Sequence, residues 1–207
     1  MAKEPRKFLT SAYHLGSADD ARRHYDEWAA SYDDELAANR YATPARCAEA
    51  LAAFAPDLTA PVLDIGCGTG LSGLALREAG FTTVDGTDLS AEMLEKAKAL
   101  GVYRELFLGD LNEPLPVAPG AYGAMTAVGV INPGHAPPET IGAVLELLQP
   151  GGLFVFSLND HALADPAFEA KVDDVIARGL AECPFREHGP HLPGIGLEAT
   201  VFVLRKR

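Results

Sequence analysis

The sequence predicts an α/β fold: a doubly wound, mainly parallel sheet with an N-terminal helical cap and an antiparallel C-terminal hairpin. Two observations lead to this prediction. From about residue 62 to residue 158, short apolar runs alternate with amphipathic stretches, and this β-α-β-α succession is typical of parallel sheets with helical crossovers. Nearer the end, a turn rich in proline and glycine precedes a final apolar strand, and strands joined by so short a turn run antiparallel.

Two helices are expected before the sheet. The first starts after Ser17 or after Asp19 and reaches about residue 38, and its large apolar residues lie on one face at spacings of three and four. These residues are Tyr25, Trp28, Tyr32 and Leu36. A threonine–proline pair at 43–44 predicts the start of a second helix, which reaches about residue 55. We expect residues 1–42 to form a cap or lid and residues 43–207 to form the main part of one domain.

Glycines, prolines and acidic residues mark the ends of the predicted strands and of the helices that connect them. The strands are expected at 62–65, 82–86, 105–109, 122–128, 153–158 and 197–204. The helices between them are expected at 71–80, 90–101, 138–148 and 166–181. Residues 183–191 are ambiguous on sequence alone.

The strongest local signal is Val-Leu-Asp-Ile-Gly-Cys-Gly-Thr-Gly at residues 62–70, a buried strand followed by a glycine loop and a helix start. Glycines at every second position let the loop adopt positive φ and let a ligand lie directly on the backbone. The helix N-terminus adds free N–H groups and a partial positive charge. Asp64 is expected at the carboxyl end of the strand, where open α/β sheets bind ligands. Because an acid there would repel phosphate, it suits a ligand with an amino group or another cation.

Two further acids follow the next two predicted strands. Asp88 comes 22 positions after Gly66, where a carboxylate can accept hydrogen bonds from both hydroxyls of a ribose. The alternative is that Asp88-Leu89-Ser90 is only a loop and a helix N-cap. Asp110 can accept a hydrogen bond from an exocyclic amine such as adenine N6, or it is simply a solvated acid in a turn.

Composition bounds the partners. The net charge of −12 predicts that neither nucleic acid nor an anionic membrane is the main partner. The three cysteines, Cys47, Cys67 and Cys183, form no metal or disulfide spacing, and a sparse, odd count suggests a reducing compartment. Since neither a signal peptide nor a membrane span is visible, the expected location is the cytoplasm. No metal is expected, because His188 and His191 are spread along a probable hairpin and three nearby ligands are not evident.

Taken together, these motifs resemble those of the class I S-adenosylmethionine-dependent methyltransferases. Residues 64–70 match the first motif of that family, residues 86–94 resemble the second, and Gly109-Asp110-Leu111 resembles the third. The resemblance covers about residues 40–160 and implies a Rossmann-like sheet of seven strands. The flanking segments, 25–33 and 128–137, are similar to those of small-molecule methyltransferases and of the Williams–Beuren-region methyltransferase-like proteins.

The resemblance implies S-adenosylmethionine as the cofactor and methyl transfer to a small-molecule acceptor by in-line displacement. The glycines would then approach the methionine moiety, Asp64 would help hold its amino group, and Asp88 would bind the ribose. Either Leu89 or Met93 would cover the adenine, and Asp110 would meet N6. The implied cofactor-binding residues are Asp64, Gly66, Cys67, Gly68, Gly70, Asp88, Leu89, Met93, Asp110, Leu111 and Val128. The implied substrate or lid residues are Tyr25, Trp28, Tyr32 and Tyr41.

Other functions stay open on sequence alone. The protein could be a non-catalytic sensor or partner subunit that only binds S-adenosylmethionine. Residues 68–73 also satisfy G-x-G-x-x-G, the fingerprint of NAD(P)-dependent oxidoreductases. That reading is disfavoured because Asp64 would lie near a pyrophosphate.

His135 is the candidate catalytic residue, since it follows the fourth predicted strand at the carboxyl edge, where a general base would be placed. It could equally be an ordinary loop histidine. Asn132-Pro133 resembles the start of the Asn-Pro-Pro-aromatic signature of enzymes that methylate planar amino groups, but Gly134 and His135 replace its last two residues. We therefore interpret it as a turn.

Overall fold

Seven strands form one sheet in the computed structural model, which describes residues 23–24, 27–28, 31–111 and 113–207. The strands are β1 (Val62–Ile65), β2 (Val84–Asp88), β3 (Leu106–Leu108), β4 (Ala124–Ala127), β5 (Leu153–Asn159), β6 (Ala181–Leu192) and β7 (Leu197–Lys206). The helices of the described ranges include α1 (Tyr32–Ala38), α2 (Thr43–Phe54), α3 (Leu71–Glu78), α4 (Ala91–Ala99), α5 (Thr140–Leu147), α6 (Asp160–Leu163) and α7 (Pro166–Ala177). The strand order is β3-β2-β1-β4-β5-β7-β6, with β1 to β5 parallel and β7 antiparallel to both neighbours. The predicted fold class is confirmed.

Alternate residues of the central strands bury opposite faces of the sheet, as the two-residue period of a strand requires. In β5, Phe154 and Phe156 pack in the core that holds α5 and α7, whereas Val155 packs in the core that holds α2 and α3. All seven residues of β5 are buried. A strand covered on both faces reads as a continuous apolar run, and this is the pattern from which the sequence predicts it.

The strand order reverses between β1 and β4. The chain proceeds from β1 outward to β2 and β3, and then returns to the other side of β1 with β4. In open α/β sheets a ligand binds at such a reversal, beyond the carboxyl ends of the strands. The glycine loop after β1 and the segment after β4 meet at this point.

The segment that is ambiguous in the sequence lies within β6, the edge strand of the hairpin. Its register against β7 shifts between Glu182 and Phe185 and again between Pro190 and Leu192. Proline has no N–H for the ladder and is tolerated mainly at sheet edges and bulges. Pro184 and Pro190 lie at these two shifts, so the prolines that obscure the strand pattern also mark its irregularities.

The described residues include only part of the predicted N-terminal helix. Residues 23–24 and 27–28 are helical and α1 follows them, while Tyr25 and the predicted start of the helix lie outside the described residues. None of the helices in the described part of the chain combines the length and apolar character that a bilayer crossing requires.

Candidate functional site

A cavity opens at the reversal point of the sheet and follows the order of the strands. It contains about 750 Å³ of space not filled by protein atoms, and this volume includes open solvent. Its lining comes from the ends of β1, β2 and β3, the segment after β4, and one residue of α1. These residues are Tyr32, Ile65, Gly66, Gly68, Thr87, Asp88, Leu89, Gly109, Asp110, Leu111, Val128, Gly129, Val130 and His135.

The glycine loop forms the floor of the cavity. Gly66 and Gly68 line it with φ of +65° and +55°, a conformation that L side chains rarely adopt. A Cβ on Gly66 would lie 2.5 Å from Cγ2 of Val130, whereas a Cβ on Gly68 would meet no protein atom within 4 Å. Gly70, also expected to bind cofactor, does not line the cavity. It caps α3 with φ of +99°, and a Cβ there would lie 2.8 Å from Cδ1 of Leu100.

Asp88 joins the cavity wall to the glycine loop. Its Oδ2 accepts a hydrogen bond from the backbone N–H of Gly68 at 2.8 Å, and its Oδ1 accepts one from that of Ser90 at 3.0 Å. The helix cap itself is Ser90, whose hydroxyl accepts from the N–H of Met93 at 3.1 Å. The carboxylate therefore faces the cavity, and the capping function that the sequence analysis weighed for this segment belongs to Ser90.

Beyond the carboxyl ends of β2 and β3, the cavity is lined by Leu89, Asp110 and Leu111. Of the two alternatives for covering an adenine, Leu89 faces the cavity. Met93 is fully buried and does not line it. The side chain of Met93 thus belongs to the protein interior, because its helix turns that face towards the sheet.

Asp64 lies behind the cavity wall rather than in it. The carboxylate is fully buried and accepts hydrogen bonds from the hydroxyls of Ser72, Tyr103 and Thr126, at 2.5, 2.8 and 2.8 Å. Burial raises its pKa to about 6, and the three hydroxyls oppose that rise. The resemblance implied that Asp64 contacts the amino group of the ligand directly. In the structure Asp64 does not line the cavity, so its carboxylate is not placed for that contact.

Tyr103 is not among the site residues predicted from the sequence. The residue lies in the loop between α4 and β3, far in sequence from the acid it contacts. The only signals were small residues, Gly73 and Gly86, whose missing side chains make room for the ring.

Two aromatic residues of the expected lid have different positions. Tyr32 lines the cavity, whereas Trp28 is only 2% exposed and packs edge-on against Tyr32, with ring centroids 4.6 Å apart. The next residue of α1, Asp33, accepts a hydrogen bond from the hydroxyl of Thr69 at 2.6 Å. The N-terminal helical segment is therefore tied directly to the glycine loop.

A smaller recess adjoins the cavity, and it holds two more of the expected residues. Tyr41 and Cys67 line it together with Tyr32, Gly68 and Val128, which also line the main cavity. Both cysteines of this region, Cys47 and Cys67, are buried, and burial raises the pKa of each thiol. Neither is placed or activated as a nucleophile.

His135 lines the cavity from the segment after β4, and Asn132 orients it. The side-chain amide of Asn132 donates to the carbonyl of Gly129 at 3.0 Å, so its Oδ1 faces Nδ1 of His135 at 2.6 Å. This network assigns the proton to Nδ1 and leaves a lone pair on Nε2. Burial lowers the pKa of His135 to about 4, so the ring is neutral at physiological pH. The Asn-Pro turn predicted from sequence thus also holds this side chain.

The described residues fit S-adenosylmethionine. A side-chain-free position at Gly68 would leave room for a ligand against the backbone, and the carboxylates of Asp88 and Asp110 would provide the acceptors that ribose hydroxyls and an adenine amine require. The buried acid Asp64 suits a cationic ligand. Within the described ranges, no three histidine, cysteine or acidic side chains are grouped to hold a metal ion.

Comparisons with known proteins agree with this geometry. A family model described as a methyltransferase domain matches residues 38–197. A human protein named methyltransferase-like protein 27 is 34% identical over 185 residues, which cover 86% of this chain and 75% of that protein. A crystal structure from Thermotoga maritima, described as an S-adenosylmethionine-dependent methyltransferase and possible histamine N-methyltransferase, matches with a TM-score of 0.64 at 15% identity. That match covers 94% of this chain and 99% of the other, and it supports the fold alone.

One comparison corrects an expectation. A bovine protein named 18S rRNA (guanine-N(7))-methyltransferase is 40% identical over 70 residues, 34% of this chain and 25% of that protein. The prediction that nucleic acid is excluded as a partner is wrong, because relatives of this chain are named for acting on ribosomal RNA. Net charge over the whole chain does not report the charge at the mouth of one cavity.

Proposed function

Because the chain belongs to the S-adenosylmethionine-dependent methyltransferases, we propose that it methylates a small-molecule acceptor that enters the cavity beside His135. The observation that carries this proposal is the continuity of one cavity. Asp88 and Asp110 line it below β2 and β3, while Val130 and His135 line it beyond β4, on the other side of β1. The same cavity therefore has room for a cofactor and for an acceptor next to it.

In this proposal, the chain's own residues hold and align the reactants. S-adenosylmethionine supplies, when bound, an electrophilic methyl group that an acceptor atom displaces in line. Gly66 and Gly68 would support its methionine moiety, Asp88 its ribose, and Leu89 and Asp110 its adenine. These assignments follow from which residues line the cavity below each strand.

The proposed task of His135 is to accept a hydrogen bond from the acceptor group. Its Nε2 carries a lone pair, and its neutral ring does not repel a cationic cofactor. A pKa of about 4 makes the imidazole a weak base at neutral pH, so orientation contributes more than proton removal. Displacement at a sulfonium needs a strong base only where the acceptor atom is not itself nucleophilic.

Within the proposed cap, residues 1–42, the described helix α1 would limit the size of the acceptor. Tyr32 lines the cavity, and the bond from Thr69 to Asp33 ties that helix over the glycine loop. A covered site excludes water from the reacting atoms and admits a compact acceptor.

A second candidate acceptor is a nucleobase displayed by RNA. The names of the relatives that match over 70 residues favour it, because they specify N7 of guanine in 18S rRNA. Such a base would have to leave its stack to reach the cavity.

One experiment separates the two acceptors. The protein is incubated with methyl-labelled S-adenosylmethionine, below the concentration that would saturate a weakened site, and either a metabolite extract or total RNA, with Asp88→Ala as the control whose cofactor binding is weakened. We expect label in the small-molecule fraction with the wild-type protein alone. Label in RNA would replace the first candidate with the second, and label in neither fraction, from protein that binds cofactor, would contradict both.

A further inference from the structure

The ring of Tyr103 runs through a channel made by glycines. A Cβ on Gly73 would lie 2.2 Å from Cζ of the ring, and one on Gly86 would lie 3.0 Å from Cε1. A Cβ on Gly70 would lie 3.2 Å from Cε2. Three glycines between β1 and β2 or within β2 therefore leave space for this side chain. Two of them, Gly70 and Gly73, do not line the cavity.

Within this channel, the Tyr103 hydroxyl donates a hydrogen bond to Asp64. The backbone N–H of Gly73 donates to the Tyr103 hydroxyl at 3.0 Å and occupies one of its lone pairs. The hydroxyl then donates its only proton to Oδ2 of Asp64 at 2.8 Å. Burial raises the pKa of Tyr103, so the phenol keeps that proton.

Asp64 is a buried carboxylate held by hydroxyls. Ser72 shares Oδ2 with Tyr103, and Thr126 donates to Oδ1 at 2.8 Å. The ion pairs found in the described part of the chain do not include Asp64. A buried charge is costly unless it is hydrogen-bonded and balanced.

The titratable groups around Asp64 do not balance its charge. The nearby carboxylate, Asp88, has the same sign, and the thiols of Cys47 and Cys67 stay protonated because burial raises their pKa. The next two residues after Asp64 line the cavity. A cation bound in that cavity would therefore lie beside the two residues that directly follow a buried negative charge without an ion-pair partner among the described residues.

We propose that Tyr103 is a positioning residue that keeps Asp64 ionised, and that the charge on Asp64 attracts the cationic cofactor through the cavity wall, so that protonation of Asp64 weakens cofactor binding. The proposal concerns cofactor affinity and does not depend on the identity of the acceptor. A pKa of about 6 for Asp64 in the free protein places the change within an accessible pH range.

The test measures cofactor affinity against pH. Isothermal titration calorimetry with S-adenosylhomocysteine, which keeps the ammonium group, is carried out from pH 5 to pH 8 on the wild type and on Tyr103→Phe. Wild-type affinity is expected to fall by up to about tenfold at pH 5, because a carboxyl group with a pKa of about 6 is then only about one-tenth ionised. In Tyr103→Phe, the loss of one donor to the ionised form should move the midpoint upward by about one pH unit.

A matched control is Tyr122→Phe. The Tyr122 hydroxyl also donates to a buried carboxylate, Asp85, at 2.9 Å, but neither residue lines the cavity. Its pH profile should match that of the wild type, and Asp64→Asn should have no acid limb. Carboxyl-carbon NMR on the cofactor-free protein should place the Asp64 titration at the same midpoint as the loss of affinity.

Two results would overturn the proposal. One is a wild-type affinity that does not change between pH 5 and pH 8. The other is a Tyr103→Phe variant whose affinity falls equally at every pH with no displaced midpoint, since that would be a purely structural effect.

Discussion

Gly68 and Gly179 both have positive φ angles, and of the two only Gly68 lines the cavity. Their φ angles are +55° and +68°, and a Cβ on either would meet no protein atom within 4 Å. Replacing either by alanine forces an L residue into the left-handed region, which costs about 1–2 kcal/mol. For a protein of this length, that corresponds to a fall in Tm of about 2–8 °C. We expect similar losses of stability from Gly68→Ala and Gly179→Ala.

Cofactor binding should distinguish the two variants. A methyl group on Gly68 would occupy space that the ligand needs, and overpacking by one methyl typically costs about 1–3 kcal/mol, or about 5- to 150-fold in affinity. Gly179→Ala should bind S-adenosylmethionine as the wild type does. Thermal unfolding followed by circular dichroism measures the first effect and calorimetry the second. Equal affinity in both variants would show that the Gly68 loop does not face the ligand.

Substitutions at three further positions test the hairpin contacts, a buried histidine and the cap. Arg46 donates to three backbone carbonyls of the hairpin at 2.9–3.0 Å, so Arg46→Ala should lower the free energy of unfolding, measured in urea, by about 2–3 kcal/mol. Glu187→Gln removes only the exposed ion pair with Arg46 and should cost less than about 1 kcal/mol. Burial lowers the pKa of His191 from 6.5 to about 4, so its contribution to stability is complete above pH 6.5 and is lost as the pH falls towards 4. His191→Asn should therefore lose about 2 kcal/mol less than the wild type between pH 7.5 and pH 5 in urea titrations. Thr69→Val should release cofactor several-fold faster in stopped-flow displacement, while Thr69→Ser, which keeps the bond to Asp33, should not; equal rates would remove the lid from the account.

The residues that sequence reasoning placed in the cavity are those whose positions follow from local order. Gly66, Gly68, Asp88 and Asp110 each come directly at or after a strand end, and parallel strands bring such ends to one edge. The same local logic predicts the sheet, whose central strands are apolar runs of the expected length.

The residues whose positions could not be predicted from the sequence are placed by packing between distant segments. Tyr103 contacts Asp64 across 39 positions, through space that glycines of two other elements leave open. Met93 turns inwards because of how α4 packs on the sheet, and Trp28 is buried by its neighbours rather than facing the cavity. No spacing within one element reports such contacts. The hydrogen bond between Asn132 and His135 could have been predicted, since the two residues lie only three positions apart. Asn132 was interpreted only as a turn residue because asparagine before proline is typical of turns.

We expect this cavity to hold S-adenosylmethionine on Asp88 and the glycine loop. Calorimetric titration of the wild type and of Asp88→Ala with S-adenosylmethionine and with NAD measures this binding. S-adenosylmethionine should bind the wild type, NAD should show no comparable binding, and Asp88→Ala should lose the hydrogen bonds of a charged acceptor, about 1.5–3 kcal/mol each. Undiminished affinity in Asp88→Ala, or tighter binding of NAD than of S-adenosylmethionine, would contradict this expectation.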